Sequence, residues 1–145
     1  MDFIAKTFDE LTTHELYKIL KARAAVFIRE EKILYPDADG EDYQCVHVYS
    51  LSENGEVEAY LRMYRGEKPG DIQFGRVLTI QRKKGIGRQL MDFACRVARE
   101  KYGAEQIVLD SQKSAEGFYK KLGFETISED FIEAGIPHVK MRKKL

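Results

Sequence analysis

Two short stretches carry residue types from which a reaction could be built. In "QRKKGIGRQL", Gln81 to Leu90, the bases Arg82, Lys83, Lys84 and Arg88 surround Gly85 and Gly87, and apolar residues recur at helical spacing straight afterwards. A strand that ends in a glycine-containing turn and opens a helix turns the helix's first N–H groups outward, without intrahelical partners, where an anion can meet them. Gly85 and Gly87 suit such a turn, because residues without Cβ let an oxyanion approach and tolerate unusual dihedrals. Each hydrogen bond to a charged group contributes about 1.5–3 kcal/mol and a helix dipole about 0.3–1 kcal/mol, so several donors together could hold a diphosphate. The competing reading of these ten residues is a solvated basic turn ahead of a helix. A nucleoside-triphosphate loop is excluded because Arg88 and Gln89 follow Gly87 where Lys and Ser or Thr are needed, and a dinucleotide fingerprint because Leu90 stands where its third glycine belongs.

The second stretch is "SAEGFYKKLGF", with Tyr119 on a short predicted helix stopped by Gly123. A phenol can donate a proton to a leaving group while staying neutral at rest. Against that, Ala115, Phe118, Tyr119 and Leu122 share one i, i+3, i+4, i+7 face, the pattern of a core stripe. Groups that could take a proton are more scattered: Glu30 and Glu31, His47, His138 after Pro137, and Asp39, Glu41 and Asp42. A lone histidine on a strand is more often structural than catalytic. The segment "PDADGEDY" has its glycine two places early for a calcium loop and lacks the far acid, so calcium is rejected, and no metal site is expected.

The elements that must position these residues follow from periodicity. A strand is expected near Phe3 to Phe8, then a helix of about four turns with a Thr12 and Glu15 capping box. "CVHVYSL" and "VEAYLRMY" read as antiparallel strands joined through Asn54-Gly55, and "DIQFGRVLTI" as a third strand. Ile86, Leu90, Phe93, Ala94 and Val97 form the stripe of a second helix ending near Gly103. A buried strand "QIVLDS", the short tyrosine helix, and the strands "FETIS" and "HVKMRKK" complete a mixed α/β order with helices packed on a central sheet.

The chain has 145 residues, enough for one domain with a real core, and no repeat or linker interrupts it, so residues 1–145 are expected to form a single domain. Lys plus Arg and Asp plus Glu are each 24, giving a formal net charge of zero and no global field toward nucleic acid or membrane. The bases of "RKKGIGR" and "KMRKKL" are too few, and too little interleaved with aromatics, for a nucleic-acid surface. Cys45 and Cys95 read as buried small apolar residues in a reducing compartment. No run is long enough to span a bilayer and the acidic start "MDFIAKTFDEL" is no signal peptide, so a cytoplasmic protein is expected.

The pattern Arg82-x-x-Gly85-x-Gly87 between a strand and an amphipathic helix resembles the pyrophosphate loop of the GCN5-related N-acetyltransferases (GNAT). "SAEGFYKKLGF" matches a second motif of that family, a tyrosine four residues before a Gly-Phe pair. "RAAVFIREE", "PDADGED" and "AGIPHVKM" are similar to its small bacterial ElaA-type branch. The resemblance implies an acyl-CoA N-acyltransferase fold, with a mixed sheet of about seven strands, helices on both faces, and a splay between the fourth and fifth strands, "GRVLTI" and "QIVLDS". It implies acetyl-CoA as cofactor, bound by Val77, Leu78, Thr79, Arg82, Lys83, Lys84, Gly85, Ile86, Gly87, Arg88, Gln112, Phe118 and Tyr119. Gln112 stands where the family often has Asn, and the connection into Arg82 lacks the family's common proline. Acetyl would pass directly to a primary amine of a small molecule or peptide, with Tyr119 as general acid and Glu30 or His138 as candidate bases, unless water serves. Phe27, Glu30, Asp37 and Asp39 would wall the acceptor site, their carboxylates favouring a cationic amine. The alternative is a non-catalytic acyl-CoA-binding or sensing module on the same fold, and C-terminal edge strands are compatible with a homodimer.

Overall fold

The computed structural model describes residues 2–32, 36–81 and 85–145. One mixed sheet runs through them, built from β1 (Phe3–Thr7), β2 (Val46–Leu51), β3 (Val57–Arg65), β4 (Asp71–Thr79), β5 (Gln106–Gln112), β6 (Glu125–Thr126), β7 (Phe131–Glu133) and β8 (Ile136–Lys144). Its order is β1-β2-β3-β4-β5-β8-β6, with β7 paired to β8. The helices are α1 (Thr13–Arg23), α2 (Ile86–Tyr102) and α3 (Glu116–Lys121). Eight strands stand where about seven were expected. The extra one is β7, three residues long, which forms a hairpin with β8 through Ala134-Gly135, both at positive φ.

The sheet is buried on both faces, and the strand sequences show which side chain goes where. Side chains alternate across a strand, so Val48 joins one core and its neighbour Tyr49 the other, while Ala59, Leu61 and Met63 face away from Tyr60. The first core receives the apolar stripe of α2, namely Ile86, Leu90, Met91, Ala94, Cys95 and Ala98, together with Tyr119, Leu122 and Phe124. The second core receives Ile19, Ala22, Val26 and Phe27 against Tyr49, Val57, Tyr60 and Leu78. Helices therefore cover both faces.

α1 begins as its sequence dictates. Thr12 accepts from the Glu15 N–H at 3.1 Å and Glu15 accepts from the Thr12 N–H at 2.8 Å, a reciprocal cap. The single long helix expected from the pattern instead changes pitch at its C-terminal end. Ala24–Glu30 forms a π-helical turn, closed by the Glu31 N–H on the Val26 carbonyl at 2.9 Å. The change begins after Arg23, whose guanidinium is completely buried by partners distant in the chain.

The splay lies between β4 and β5. These two strands pair in parallel only from Asp71↔Gln106 to Phe74↔Leu109. Beyond that point β4 stays on β3, as far as Ala59↔Thr79, and β5 stays on β8, as far as Gln112↔His138. A bulge in β4 marks the parting: Tyr60 pairs with Leu78 and Arg62 with Gly75, so Arg76 and Val77 together oppose Leu61. Arg76 holds the left-handed φ of 51° in it.

Candidate active site

Three elements converge on the gap: the free edge of β4, the start of α2, and the region of α3. On β4, the Ile80 N–H donates to the Glu58 carbonyl at 2.9 Å. Backbone groups alternate sides along an antiparallel pair, so Ile80 and Leu78 turn theirs to β3 and Thr79 turns its N–H and carbonyl to the open edge. Val77 lies in the bulge, partly buried against the first core, whereas the Leu78 side chain is buried in the second. Thr79 and Val77 can thus offer backbone contacts, and Leu78 contributes packing.

At the start of α2 the first intrahelical bond is from the Gln89 N–H to the Gly85 carbonyl at 3.0 Å. The N–H groups of Ile86, Gly87 and Arg88 therefore have no acceptor within the helix. Gly85 takes φ 90°, and a Cβ there would meet nothing within 4 Å. Its glycine is required by conformation, not crowding. Gly87 differs: a Cβ would lie 3.0 Å from Cζ of Phe118, so this glycine makes room for an aromatic ring from α3. Ile86 presents only its backbone, its side chain being core, while Arg88 is exposed. Arg82, Lys83 and Lys84 lie outside the described residues.

Tyr119 is 7 % exposed, edge-on to Phe118 at 5.1 Å and to Phe124 at 5.6 Å between ring centroids. It sits in the cluster that Leu109 of β5 joins and Val77 of β4 packs against. Burial pushes its phenol above the usual range, because the phenolate would be desolvated. Tyr119 is part of the core, and it carries a proton that neutral solution will not remove. Phe118 is 40 % exposed beside the α2 turn.

The opposite face of the sheet receives the base candidates. Gln112, at the end of β5, donates to Glu31 Oε1 at 2.7 Å and so ties the gap to the end of the π-helical turn. His138, opposite Gln112 on β8, is buried against Phe131 at 5.9 Å between ring centroids. Its Nδ1 lies 2.7 Å from the Ile136 carbonyl, which can only accept, so Nδ1 carries the proton and Nε2 is left facing Glu133 Oε2 at 3.6 Å. Glu30 is exposed at the end of the turn. His47 is no candidate: it is 0 % exposed, its Nε2–H donates to the Asp42 carbonyl at 3.0 Å, its Nδ1 accepts from the Tyr60 hydroxyl at 2.7 Å, and burial lowers its pKa.

The acceptor wall expected from the sequence is corrected in two respects. Phe27 is buried in the second core. Asp37 and Asp39 do not present free charge, because three arginines from remote parts of the chain neutralise them. Arg23 and Arg76 bind Asp37 at 3.0 and 3.1 Å, Arg62 and Arg76 bind Asp39 at 2.7 and 3.2 Å, and Asp42 bridges Arg23 and Arg62 at 2.7 and 2.9 Å. The Arg62 guanidinium holds the Asp39 carboxyl far below the usual carboxylate range despite partial burial. Burial alone would raise Asp42, but Arg23 and Arg62 outweigh it and leave it lowered. Sequence reasoning named these acids and missed their partners, which lie 14 to 39 positions away. It also missed Asp110, the first β5 residue past the last β4 pair, which with Tyr64, Gln73 and Lys140 lines an open groove of about 350 Å³. Among the described residues no group of His, Cys, Asp or Glu could hold a metal ion, and no helix is long and apolar enough to cross a membrane.

A strand splayed from its parallel neighbour, with the start of a helix whose first N–H groups have no acceptor within that helix, is the arrangement of an acyl-CoA N-acyltransferase. The model of the acetyltransferase (GNAT) domain matches residues 23–145, and the chain belongs to that family. It is 36 % identical to a UPF0039 protein of Schizosaccharomyces pombe over 148 residues, covering 100 % of this chain and 98 % of that one. Escherichia coli ElaA is 30 % identical over 140 residues, 94 % of this chain and 92 % of ElaA, and its crystal structure superposes with a TM-score of 0.90 over 99 % of this chain and 100 % of that one. The crystal structure of an acyl-CoA N-acyltransferase from Pseudomonas aeruginosa gives a TM-score of 0.88 at 32 % identity, with 99 % of each chain covered.

Proposed function

We propose that this protein is an acetyl-CoA-dependent N-acetyltransferase that transfers acetyl to a primary amine of a small molecule or peptide. The observation that carries the reading is the β4–β5 gap, opening beyond Phe74 and Leu109 beside an α2 start whose N–H groups at Ile86, Gly87 and Arg88 are unclaimed by the helix. These features fit the cofactor. Three adjacent amides and the positive end of the α2 dipole suit a diphosphate, and the outward backbone of Thr79 suits the amide-bearing arm that follows it. Acetyl-CoA supplies, when bound, an acetyl group activated as a thioester.

The chain's own residues then divide the work. Gly85 permits the turn, and Arg88, with Arg82, Lys83 and Lys84 by their sequence position, adds cationic charge around it. Tyr119, a neutral phenol whose burial raises its pKa further, would supply the proton that the leaving thiolate needs. An alkylammonium acceptor with a pKa near 10.4 must first lose a proton. His138 suits that task better than Glu30, since its Nδ1–H is fixed by Ile136 and its Nε2 is left with a lone pair that can accept a proton. The acceptor approaches on the face that bears Glu30, Gln112 and His138, and its selection does not come from Asp37 and Asp39, whose charge is spent on arginines.

Calorimetric titration with acetyl-CoA tests the reading, alongside Gly87→Glu, which places a carboxylate in the cradle and a Cβ 3.0 Å from the Phe118 ring. Saturable binding by the parent and at least about a tenfold loss in the variant, with the thermal midpoint followed in parallel, is the expected result. Absence of binding by folded parent protein would sink it. Binding without transfer to any member of a broad amine panel would establish the alternative, an acyl-CoA-binding module.

A further inference from the structure

The ion-pair network behind the gap has a geometry that reaches beyond neutralising charge. Arg76 is a non-glycine residue at φ 51°, a conformation that L side chains adopt only when their surroundings enforce it. It sits in the β4 bulge two residues after the last β4–β5 pair, Phe74↔Leu109, so its backbone sets the direction of the free edge that follows. Its guanidinium is gripped at both sides. Arg76 Nε donates to Asp37 Oδ1 at 3.1 Å, and Nη2 donates to the Asp37 carbonyl at 3.1 Å and to Asp39 Oδ2 at 3.2 Å.

The two acids are themselves anchored. Asp37 accepts from Arg23 Nε at 3.0 Å and, through its carbonyl, from Arg23 Nη2 at 2.6 Å. Asp39 receives a bidentate pair from Arg62 at 2.9 and 2.7 Å, the geometry in which a guanidinium fork binds a carboxylate most firmly. Asp42 closes the circuit between Arg23 and Arg62. The bulge is thus tied to the end of α1 and to the middle of β3 by a loop that follows the first helix.

We propose that Asp37 and Asp39 are positioning residues for the acyl-CoA gap: through Arg76 they hold the β4 bulge in its left-handed conformation and so keep the free edge Val77–Thr79 in place. The claim rests on the reading of the gap as the cofactor cleft. It assigns the acidic loop to the cofactor side of the reaction, although the loop lies on the acceptor face.

Glycine decides the matter, because it takes positive φ without a tether whereas alanine does not. Amide hydrogen exchange over residues 75–80 of the full chain, read by mass spectrometry without ligand, is compared between parent, Arg76→Ala and Arg76→Gly, and acetyl-CoA affinity is measured on the same proteins. Arg76→Ala is expected to raise exchange in that segment and to weaken acetyl-CoA about tenfold, while Arg76→Gly stays within about twofold of the parent in both. Asp39→Asn should reproduce a part of the alanine effect when Arg76 is present and add nothing in the Arg76→Gly background. Equal behaviour of the Ala and Gly variants, both with parent-like thermal midpoints, would overturn the proposal and leave the network a stabilising one only. If the parent failed to bind acetyl-CoA, the functional reading would fall while the exchange comparison still decided whether the acids hold the bulge.

Discussion

A phenol buried in the core keeps its proton. Tyr119 has no hydrogen-bond acceptor among the described residues, and its burial keeps it protonated well above neutrality. Replacing it with Phe keeps the edge-on packing against Phe118 and Phe124 and removes only the proton. Tyr119→Phe is therefore expected to lower kcat about 100-fold with little change in acetyl-CoA affinity or thermal midpoint, measured by steady-state kinetics on whichever amine the screen returns. An unchanged kcat would remove Tyr119 from the chemistry and leave it as core. The two strand histidines differ in the same way at this scale. Each has one nitrogen fixed by a backbone carbonyl, but the second nitrogen of His47 is consumed by Tyr60 whereas that of His138 faces a carboxylate.

At the scale of elements, one carboxylate of α1 reaches two strands of the sheet. Glu15 caps the helix and accepts from Lys6 Nζ at 2.8 Å and from the Tyr49 hydroxyl at 2.7 Å, so a single side chain joins α1 to β1 and β2. Burial would raise its pKa, but the bonds from Lys6, Thr12 and Tyr49 outweigh it and hold it at about 2 against an ordinary 4.5. A carboxyl lowered on folding contributes stability that is complete above its unfolded pKa and lost as pH falls through its folded one. The loss should fall between about pH 4.5 and 2. Glu15→Gln is expected to cost about 2 kcal/mol at pH 7 and nearly nothing at pH 2, read from urea unfolding at both values. A pH-independent difference would show that the amide's shape, not the charge, was at fault.

The whole molecule isolates its reactive sulfur. Cys45 is buried at the start of β2 and donates to the Glu41 carbonyl at 3.1 Å, and burial pushes its thiol up to about 12. Cys95 is buried on α2 and likewise raised by burial. Neither can supply a thiolate nucleophile at neutral pH. An aromatic disulfide reagent is expected to release no chromophore from folded protein within minutes and two thiols per chain in denaturant. Rapid release from the folded state would indicate an opening that reaches Cys95 in the first core or Cys45 ahead of β2.

Much of this was written locally in the chain. Helix starts at Thr12 and Gly85, the α2 stripe, and the alternation along β2 and β3 depend on neighbours within a few residues, where period and turn chemistry are legible. The two motifs around Gly85 and Tyr119 likewise carried the family, the cofactor expectation and the splayed sheet. Two things were decided only by the tertiary structure. The change to π-helical pitch after Arg23 and the use of Asp37 and Asp39 depend on residues that the chain brings together from afar, whereas the overlooked β7 pairs with β8 within seven positions. The aspartates show the reason most plainly: a run of acids in a loop reads as solvent-facing charge until Arg23, Arg62 and Arg76 are folded against it. Gly87 makes the same point, since its missing Cβ is explained by the ring of Phe118, 31 positions further along, and no local pattern encodes that contact. Sequence by itself determined most of the segments that become helix and strand and where a glycine turn opens α2. Only packing determined which charges remain available to a substrate, because availability depends on every partner that folding brings within about 3 Å.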